Sequence, residues 1–211
     1  MDERSFRGVT FKVARNNLEP ASLYSYDDET SVRERDWLVE PGDVVADLGS
    51  AYGSYSVPAL AIGASFVHCV NPNHEEQYAL SQTLAANGWQ ARAALYIVGL
   101  HSRDGFLRDD DQAWSDSPRE GFFEVTTLDR LLPLPRLDWM KLDVEGAEAD
   151  VLRGGEELIR RCRPRILVEN HRFVDIRLPA RVRQYLESLG YRELRDTPYH
   201  SVSHALFEPR T

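Results

Sequence analysis

The sequence of 211 residues has only two cysteines, Cys69 and Cys162, and they do not form a CxxC pair. Each lies beside apolar residues, so we expect two reduced, structural thiols, as in a reducing cytoplasm. No run of about 18 apolar residues is present, which argues against a membrane-spanning helix. The N-terminal segment, MDERSFRGVTFK, lacks the apolar core of a secretion signal. These absences predict a cytoplasmic protein without a membrane anchor.

Acidic residues outnumber basic ones, 34 to 25, and the formal net charge is -9. The sequence therefore predicts no overall attraction to nucleic acid or to an anionic membrane, although four arginines between residues 160 and 165 leave a local basic patch open. Apolar residues make up 42% of the chain and charged residues 28%, which is typical of a globular protein. At this length we expect a single domain over residues 1–211. Nothing in the sequence indicates an oligomeric state.

Short apolar segments alternate with helical patterns from residue 43 onward. Strands are predicted at 43–47, 65–70, 94–100, 137–142 and 165–169, with helices at 55–62, 75–87, 147–152 and 179–189. This alternation predicts a parallel sheet with helices on both faces. Two last strands, 191–196 and 202–207, are joined by a short Thr-Pro turn and must be antiparallel. The predicted fold class is α/β, with a mostly parallel seven-stranded sheet and a C-terminal antiparallel strand pair.

The segment VVADLGSAYGSYSV places a loop of small residues directly after the first of these strands. It lacks the lysine of a phosphate-binding GxxxxGK[ST] loop. It also lacks the GxGxxG spacing of a dinucleotide-binding loop, because alanine and serine occupy the second and third glycine positions. Asp47, Gly49 and Gly53 instead fit the D-x-G-x-x-x-G spacing of S-adenosylmethionine-binding loops. For this loop alone, a tight strand-to-helix turn without a ligand is the alternative.

Three later segments extend the pattern, VNPNHEEQYALSQTLAANG, TTLDRLLPLPRLDWMKLDVEGAEADVLRGG and PRILVENH. With the first loop, they resemble the FkbM family of S-adenosylmethionine-dependent methyltransferases over roughly residues 29–175. KLDVEGAE with the downstream PRILVE is the most discriminating part. The resemblance implies a class I methyltransferase (Rossmann-like) fold with S-adenosylmethionine as cofactor. It also implies methyl transfer, usually to a hydroxyl oxygen, often on a sugar or natural product.

The resemblance also implies a set of cofactor-binding residues: Asp47, Gly49, Ser50, Ala51, Tyr52, Gly53, Asn71, Gly99, Leu100 and Asp143. Asp47 would orient the loop and the amino-acid end of the cofactor. Gly99 and Leu100 would lie near the adenine, and Asp143 beside the sulfonium. An alternative for Asp143 is a carboxylate that caps the next helix.

Asn71 departs from the family pattern, because these enzymes usually have a glutamate there that accepts hydrogen bonds from both ribose hydroxyls. An amide oxygen accepts weaker hydrogen bonds than a carboxylate, so we expect about tenfold weaker cofactor binding. His74 and Glu75 are the nearest residues that could compensate. The sequence predicts that Asn71→Glu tightens cofactor binding.

Methyl transfer to an alcohol requires in-line alignment of the acceptor and removal of its proton. His171, after the last parallel strand, is the candidate base, because the pKa of a histidine suits this task. Asp143 or Glu145 could serve instead or orient the histidine; a polar loop role for His171 is the alternative. A divalent metal held by Asp143, Glu169 and Asn170 is a further alternative that the sequence does not favour.

The expected partner is a small-molecule hydroxyl acceptor, whose identity no motif reveals. Residues 1–40 and the acidic loop at 108–121 are candidate substrate lids, with Tyr24, Tyr26 and Trp114 as candidate stacking residues. Two other classes of function stay open. One is a non-catalytic cofactor-binding module of the same fold, and the other is a nucleotide-dependent oxidoreductase, which the loop spacing disfavours.

Overall fold

The computed structural model of the chain describes residues 1–14, 30–108, 113–199 and 202–210. The strands are β1 (Asp2–Phe6), β2 (Val9–Val13), β3 (Val44–Leu48), β4 (Phe66–Val70), β5 (Ala93–Tyr96), β6 (Gly99–Leu100), β7 (Gly105–Leu107), β8 (Trp114–Ser115), β9 (Phe123–Thr126), β10 (Trp139–Leu142), β11 (Arg165–Asn170), β12 (Tyr191–Tyr199) and β13 (Val202–Pro209). The helices are α1 (Thr30–Asp36), α2 (Ser56–Ile62), α3 (His74–Asn87), α4 (Leu128–Leu131), α5 (Glu148–Gly154), α6 (Glu156–Cys162) and α7 (Leu178–Ser188).

The largest sheet has seven strands in the order β12-β13-β11-β10-β3-β4-β5. Neighbours β3, β4 and β5 pair in parallel, whereas β13 is antiparallel to both β11 and β12. This arrangement confirms the predicted α/β fold class with a mostly parallel seven-stranded sheet and a C-terminal antiparallel pair. The sequence did not predict the β1–β2 hairpin or the separate four-stranded sheet, whose order is β6-β9-β7-β8.

The described residues form two compact units, and the first contains Met1–Ile97 and Asp138–Lys141. Its central strand β3 is buried over Val45–Leu48, as expected for a parallel strand covered on both faces. Trp37 packs edge-on against Tyr55 and Trp139, with ring centroids 5.4 and 5.2 Å apart. Helix α2 ends at Gly63, whose φ of 115° only glycine adopts without strain.

The second unit contains Val98–Leu137 and Leu142–Thr211. In this unit β11 pairs with β13, and both strands are almost entirely buried. Helix α7 buries Leu178, Val182 and Leu186, which follow the i, i+4, i+8 spacing of one helix face. The prediction of a single domain over residues 1–211 stays a prediction.

Three local predictions differ from the structure. The predicted strand at 94–100 is broken after Tyr96, and Gly99–Leu100 instead pairs in parallel with β9 of the four-stranded sheet. The Thr-Pro turn is wrong, because Thr197 and Pro198 lie within β12, an edge strand where a missing N–H is tolerated. The predicted surface loop at 108–121 contains β8, which pairs with β7.

Residues 15–29, 109–112, 200, 201 and 211 lie outside the described residues. The first two of these ranges fall within the candidate lids, and the first includes Tyr24 and Tyr26. Both cysteines are free thiols, as predicted. Within the part of the chain that the structure describes, no helix is long and apolar enough to cross a bilayer.

Candidate active site

A buried carboxylate anchors the loop that follows β3. Asp47 is 1% exposed, and its Oδ2 accepts a hydrogen bond of 2.5 Å from the Ser56 hydroxyl in the first turn of α2. The Cys69 thiol lies 3.2 Å from the same hydroxyl, and burial together with the charge of Asp47 raises the pKa of this thiol. Asp47 therefore ties the loop to α2, while its contact with a cofactor stays a prediction.

The backbone of this loop folds against the end of β4. The amides of Gly49 and Ser50 donate hydrogen bonds of 2.8 and 3.1 Å to the carbonyl of Val70. Gly49, Ala51 and Gly53 have φ angles of 84°, 42° and 90°. Glycine adopts such angles readily, whereas an alanine held there costs on the order of 1–3 kcal/mol. A strained non-glycine residue in a small-residue loop is typical of a binding site.

A buried glutamine supports the same loop from α3. The Gln77 Nε2 group donates a 2.7 Å hydrogen bond to the Ser50 hydroxyl, and Gln77 is 1% exposed. Its Oε1 atom has no hydrogen-bond partner among the described residues. Buried amide oxygens are normally paired, so this atom marks a place where a ligand or an ordered water would be favourable. Tyr52 lies half-buried in the loop itself.

Asn71, the predicted ribose position, is 7% exposed and is held by a neighbouring acid. Its Nδ2 donates a 2.6 Å hydrogen bond to Oε2 of Glu76, in the first turn of α3. Asn73 caps this helix by accepting hydrogen bonds from the amides of Glu75 and Glu76. His74 and Glu75 are exposed. The carboxylate at this strand end is thus supplied by position 76 rather than by the positions that the sequence indicated.

Gly99 and Leu100 belong to the second unit, in β6. A Cβ atom at position 99 would lie 2.6 Å from a ring carbon of Phe123 and 2.8 Å from Val125, so only glycine fits this strand contact. Leu100 is 5% exposed. The close contact with Phe123 and Val125 accounts for the glycine, and the place of both residues near an adenine stays a prediction.

His171 lies directly after β11 and is 3% exposed. Its Nδ1 is 2.6 Å from Oε1 of Glu148, a carboxylate that is fully buried at the start of α5. The same oxygen accepts hydrogen bonds from the amides of Val144 and Gly146, at 3.4 and 3.1 Å. A buried carboxylate is costly unless it is paired, and this one is paired with the imidazole. Glu148 therefore fixes both the histidine ring and the loop before α5.

The opposite nitrogen of His171 faces two acids of that loop. Nε2 lies 3.1 Å from Oε2 of Glu145 and 3.6 Å from Oδ1 of Asp143. The Glu145 side chain is 71% exposed, whereas that of Asp143 is 25% exposed. Glu145 also has a φ of 52°, an unfavourable angle for a residue with a side chain. The structure thus brings the three predicted catalytic residues together, and their roles in catalysis stay predictions.

The carboxylates determine the charge of this histidine. Burial acts to lower the pKa of His171, but the hydrogen bond to Glu148 and the charges of Asp143, Glu148 and Glu145 raise it to about 9. His171 is therefore an imidazolium at neutral pH. Both of its N–H groups point to carboxylates.

Two of the three residues named as candidate metal ligands, Glu169 and Asn170, contact side chains of β13. Oε2 of Glu169 lies 3.0 Å from Nε2 of His204, and the Asn170 amide is 3.5 Å from the Ser203 hydroxyl. The other oxygen of Glu169 lies 3.9 Å from Nε2 of His171.

The ligand atoms that do lie together, within 4.8 Å of one another, are those of Asp143, Glu145 and His171. A divalent ion bound there would have to displace the proton that His171 holds at neutral pH, since metals bind the neutral imidazole. That proton gives the cluster one positive charge beside the carboxylates of Asp143 and Glu145.

Sequence reasoning missed three residues of these contacts, Glu148, Glu76 and His204. Glu148 lies between alanines in the segment EGAEAD, and a carboxylate among such small residues is a signal for a buried acid with a partner. His204 interrupts the apolar side chains of β13, whose described residues are buried from Val202 to Phe207. Glu76 carries no comparable signal, because acids are common in the first turn of a helix.

The sequence profile of the Methyltransferase FkbM domain matches residues 43–193, well over half of the chain. This range includes the loop after β3 and the His171 cluster. No functionally curated protein matches the sequence significantly.

Solved structures with a similar fold include methyltransferase FkbM from Methylobacillus flagellatus KT, with a TM-score of 0.62 and 16% identity over 92% of this chain. That match covers 56% of the Methylobacillus protein, so the present chain spans little more than half of its length. An rRNA methylase from Streptococcus thermophilus has a TM-score of 0.55 and 13% identity, with 93% of this chain and 98% of that chain covered. TYW2 from M. jannaschii, solved in complex with AdoMet, has a TM-score of 0.51 and 14% identity, with 99% and 86% covered.

Identities this low show a common fold and no more. The profile match is specific, because it covers the two segments that carry the loop after β3 and the acids around His171. On that match, the chain belongs to the FkbM methyltransferase family.

Proposed function

We propose that this protein is an S-adenosylmethionine-dependent methyltransferase that methylates a hydroxyl oxygen of a small molecule, such as a sugar or a natural product. The observation that carries the proposal is the His171 cluster. A buried carboxylate holds one side of the imidazole, and the other side faces the partly exposed acids Glu145 and Asp143. Such an arrangement can take a proton from an acceptor hydroxyl and retain it.

The loop after β3 and the start of α3 are suited to the cofactor. Bound S-adenosylmethionine would supply an electrophilic methyl group. The strained loop at Gly49–Gly53 lets a ligand approach the backbone, and Glu76 with Asn71 offers oxygen acceptors for ribose hydroxyls. The TYW2 structure, which has a similar fold, contains AdoMet, and this supports the same cofactor for the present chain.

His171 performs the proton transfer in its neutral form. At neutral pH it holds a proton on each nitrogen, so it must first lose the Nε2 proton, which faces Glu145 and Asp143. Once neutral, it is a strong base, because the same carboxylates favour renewed protonation. Glu148 keeps Nδ1 protonated and the ring oriented. The acids around the ring therefore give a base of high pKa at the cost of a small neutral fraction at pH 7.

Two other functions are distinguished from this one by measurement. A non-catalytic module would bind S-adenosylhomocysteine and show no turnover. A nucleotide-dependent oxidoreductase would bind NADH, and family membership disfavours it. Transfer to an amine would also require loss of a proton, so the atom that is methylated needs its own assay.

The test combines binding and turnover on the purified protein. Isothermal titration with S-adenosylhomocysteine and with NADH is expected to give binding of the first alone. Radiolabelled S-adenosylmethionine with a panel of sugars, phenols and amines should transfer label to hydroxyl compounds. His171→Gln should lower turnover strongly and leave S-adenosylhomocysteine affinity within about twofold. Binding of NADH alone would reject the proposal, and equal turnover in His171→Gln would reject the histidine as base.

A further inference from the structure

A cleft of about 340 Å³ lies in the second unit, and no role has been assigned to it above. Its lining consists of His101, Arg103, Leu107, Trp114, Gly146, Ala147, Asp150 and Val174. This volume lies within the range of small-molecule sites and fits a compound of one or two rings. Leu107, Ala147 and Val174 provide apolar walls, and the polar groups are concentrated at Arg103, His101 and Asp150.

The cleft adjoins the His171 cluster through the chain itself. Gly146 directly follows Glu145, which faces the histidine. On the other side, the amide of Val174 donates a 3.0 Å hydrogen bond to the carbonyl of His171. Gly146 and Val174 also pack tightly, since a Cβ at position 146 would lie 2.8 Å from the valine. A molecule in the cleft would therefore contact Gly146, the neighbour of Glu145, and Val174, whose amide is hydrogen-bonded to His171.

Arg103 is the positive charge of this cleft. Its guanidinium lies over the indole of Trp114, 4.1 Å from the ring centroid. Within the described ranges of the chain, no carboxylate forms an ion pair with it. Asp150 does not neutralise it, because that acid forms a 2.9 Å ion pair with Arg153. A guanidinium without a carboxylate is notable in a chain with a net charge of -9.

The neighbouring strands hold this arginine in position. In the β7–β8 pair, Trp114 lies opposite Leu107. Its indole passes across Gly105, where a Cβ would lie only 2.2 Å from a ring carbon. The cation–π contact then holds the guanidinium over the ring with its N–H groups available.

His101 adds a neutral hydrogen-bonding group. Its ring lies 5.1 Å from the Trp114 ring and 4.0 Å from Asp150. Burial lowers the pKa of His101, and the positive charges of Arg103 and Arg153 lower it further, whereas the charge of Asp150 acts to raise it. The histidine therefore adds no second positive charge at neutral pH.

We propose that this cleft binds the methyl acceptor, and that the acceptor is a ring compound with an anionic group, a carboxylate or a phosphate, that pairs with Arg103. This inference rests on the proposed function and adds the chemical class of its substrate. A guanidinium fork matches both anions in two hydrogen bonds. The apolar walls take the ring, and the hydroxyl end reaches the residues next to Glu145 and His171.

The test uses probes that differ in one group. Glucose, glucuronate and glucose 6-phosphate form one set, and methyl 4-hydroxybenzoate with 4-hydroxybenzoate forms a second. Binding to the full chain is followed by NMR at the Trp114 indole N–H, which a Trp114→Phe spectrum assigns. In at least one set the anionic member should bind on the order of tenfold or more tightly than the neutral one, as expected for a charge-assisted pair. The sugar set distinguishes carboxylate from phosphate.

Arg103→Gln and Arg160→Gln each remove one positive charge, so the second variant is the control for the first. Arg103→Gln should remove the preference for anions, and Arg103→Lys should restore part of it. Arg160→Gln, on an exposed residue paired with Glu156, should leave the preference unchanged. Folding of each variant is checked by its thermal transition.

Three results of the binding experiments would overturn the proposal that the cleft binds the acceptor. The first is equal binding of neutral and anionic probes. The second is no shift of the Trp114 signal with any probe at about 10 mM, roughly the limit at which weak binding is detected. The third is an equal loss of the preference for anions in the Arg103 and Arg160 variants. These outcomes are independent of turnover. Anion binding without methyl transfer to any acceptor would reject the proposed function, whereas transfer to neutral acceptors alone would reject only the cleft.

Discussion

The raised pKa of His171 should make the stability of this protein depend on pH in a defined window. In the folded protein this pKa is about 9, against an ordinary value of 6.5. At 1.36 kcal/mol per pH unit, this difference is worth up to about 3 kcal/mol of folding free energy. The pair with Glu148 is buried on both sides, so solvent screens it little, whereas the contact with the exposed Glu145 is screened and contributes less. For a protein of this size, such a contribution is a large fraction of the total stability.

The sign follows from proton binding. A raised pKa means that the folded protein binds this proton more tightly than the unfolded chain does. The contribution of His171 to the folding free energy is therefore complete below about pH 6.5, and it is lost as the pH rises through about 9. Above this value the imidazole is neutral in both states, and the acids around it lose their counter-charge.

The assay is urea unfolding of the wild type and of His171→Gln at half-unit steps between pH 6 and 10. The difference in unfolding free energy between the two proteins should shrink by about 3 kcal/mol across this window, since all other titrating groups cancel. His74→Gln, which makes the same change at an exposed histidine, serves as the control and should show no comparable loss. A constant difference for His171→Gln as well would show that the carboxylates do not hold a proton on this ring.

Three further predictions concern the cofactor and turnover. Asp47→Asn should weaken S-adenosylhomocysteine binding at least tenfold in isothermal titration, because the loop loses a charged acceptor for Ser56; unchanged affinity would remove this acid from the site. Glu76→Gln should weaken S-adenosylhomocysteine binding about tenfold. Asn71→Glu alone should not tighten this binding, because it places a second carboxylate against Glu76, where the amide now makes a 2.6 Å hydrogen bond. Tighter binding in Asn71→Glu would contradict this reasoning. The kcat/KM of the wild type, which reports the free enzyme, should rise about tenfold per pH unit from pH 7 toward 9, and a flat profile would exclude neutral His171 as the base.

The fold was predictable because its signals are local. Apolar strands such as β3 and β11, separated by helices that end at Gly63 and Gly88, alternate regularly along the chain. The prediction failed where pairing over long distances decides the structure. Residues 94–100 form one apolar run, but their last two residues pair with β9, and no local signal marks the break. Pro198 was expected in a turn, but it lies in β12, an edge strand, where its missing N–H is tolerated.

The candidate site was predictable in its residue types and less so in its partners. His171, Asp143 and Glu145 follow strand ends, and parallel strands bring such ends together. Which nitrogen each acid faces depends on side-chain direction and burial, which spacing does not encode. The expected effect of Asn71→Glu changed for the same reason, because only the structure places Glu76 against that amide.

The acids around His171 differ in environment, and this difference divides their tasks in the proposed reaction. Glu148 is fully buried and shares one oxygen among Nδ1 and two backbone amides, so it cannot move without losing all three contacts. It is suited to orienting the ring. Glu145 is 71% exposed on a strained turn, and its contact with Nε2 can be exchanged for water or an acceptor at little cost. An acceptor hydroxyl that replaces Glu145 at Nε2 would also remove one of the charges that raise the pKa of His171, so its arrival would favour the neutral form that the reaction requires.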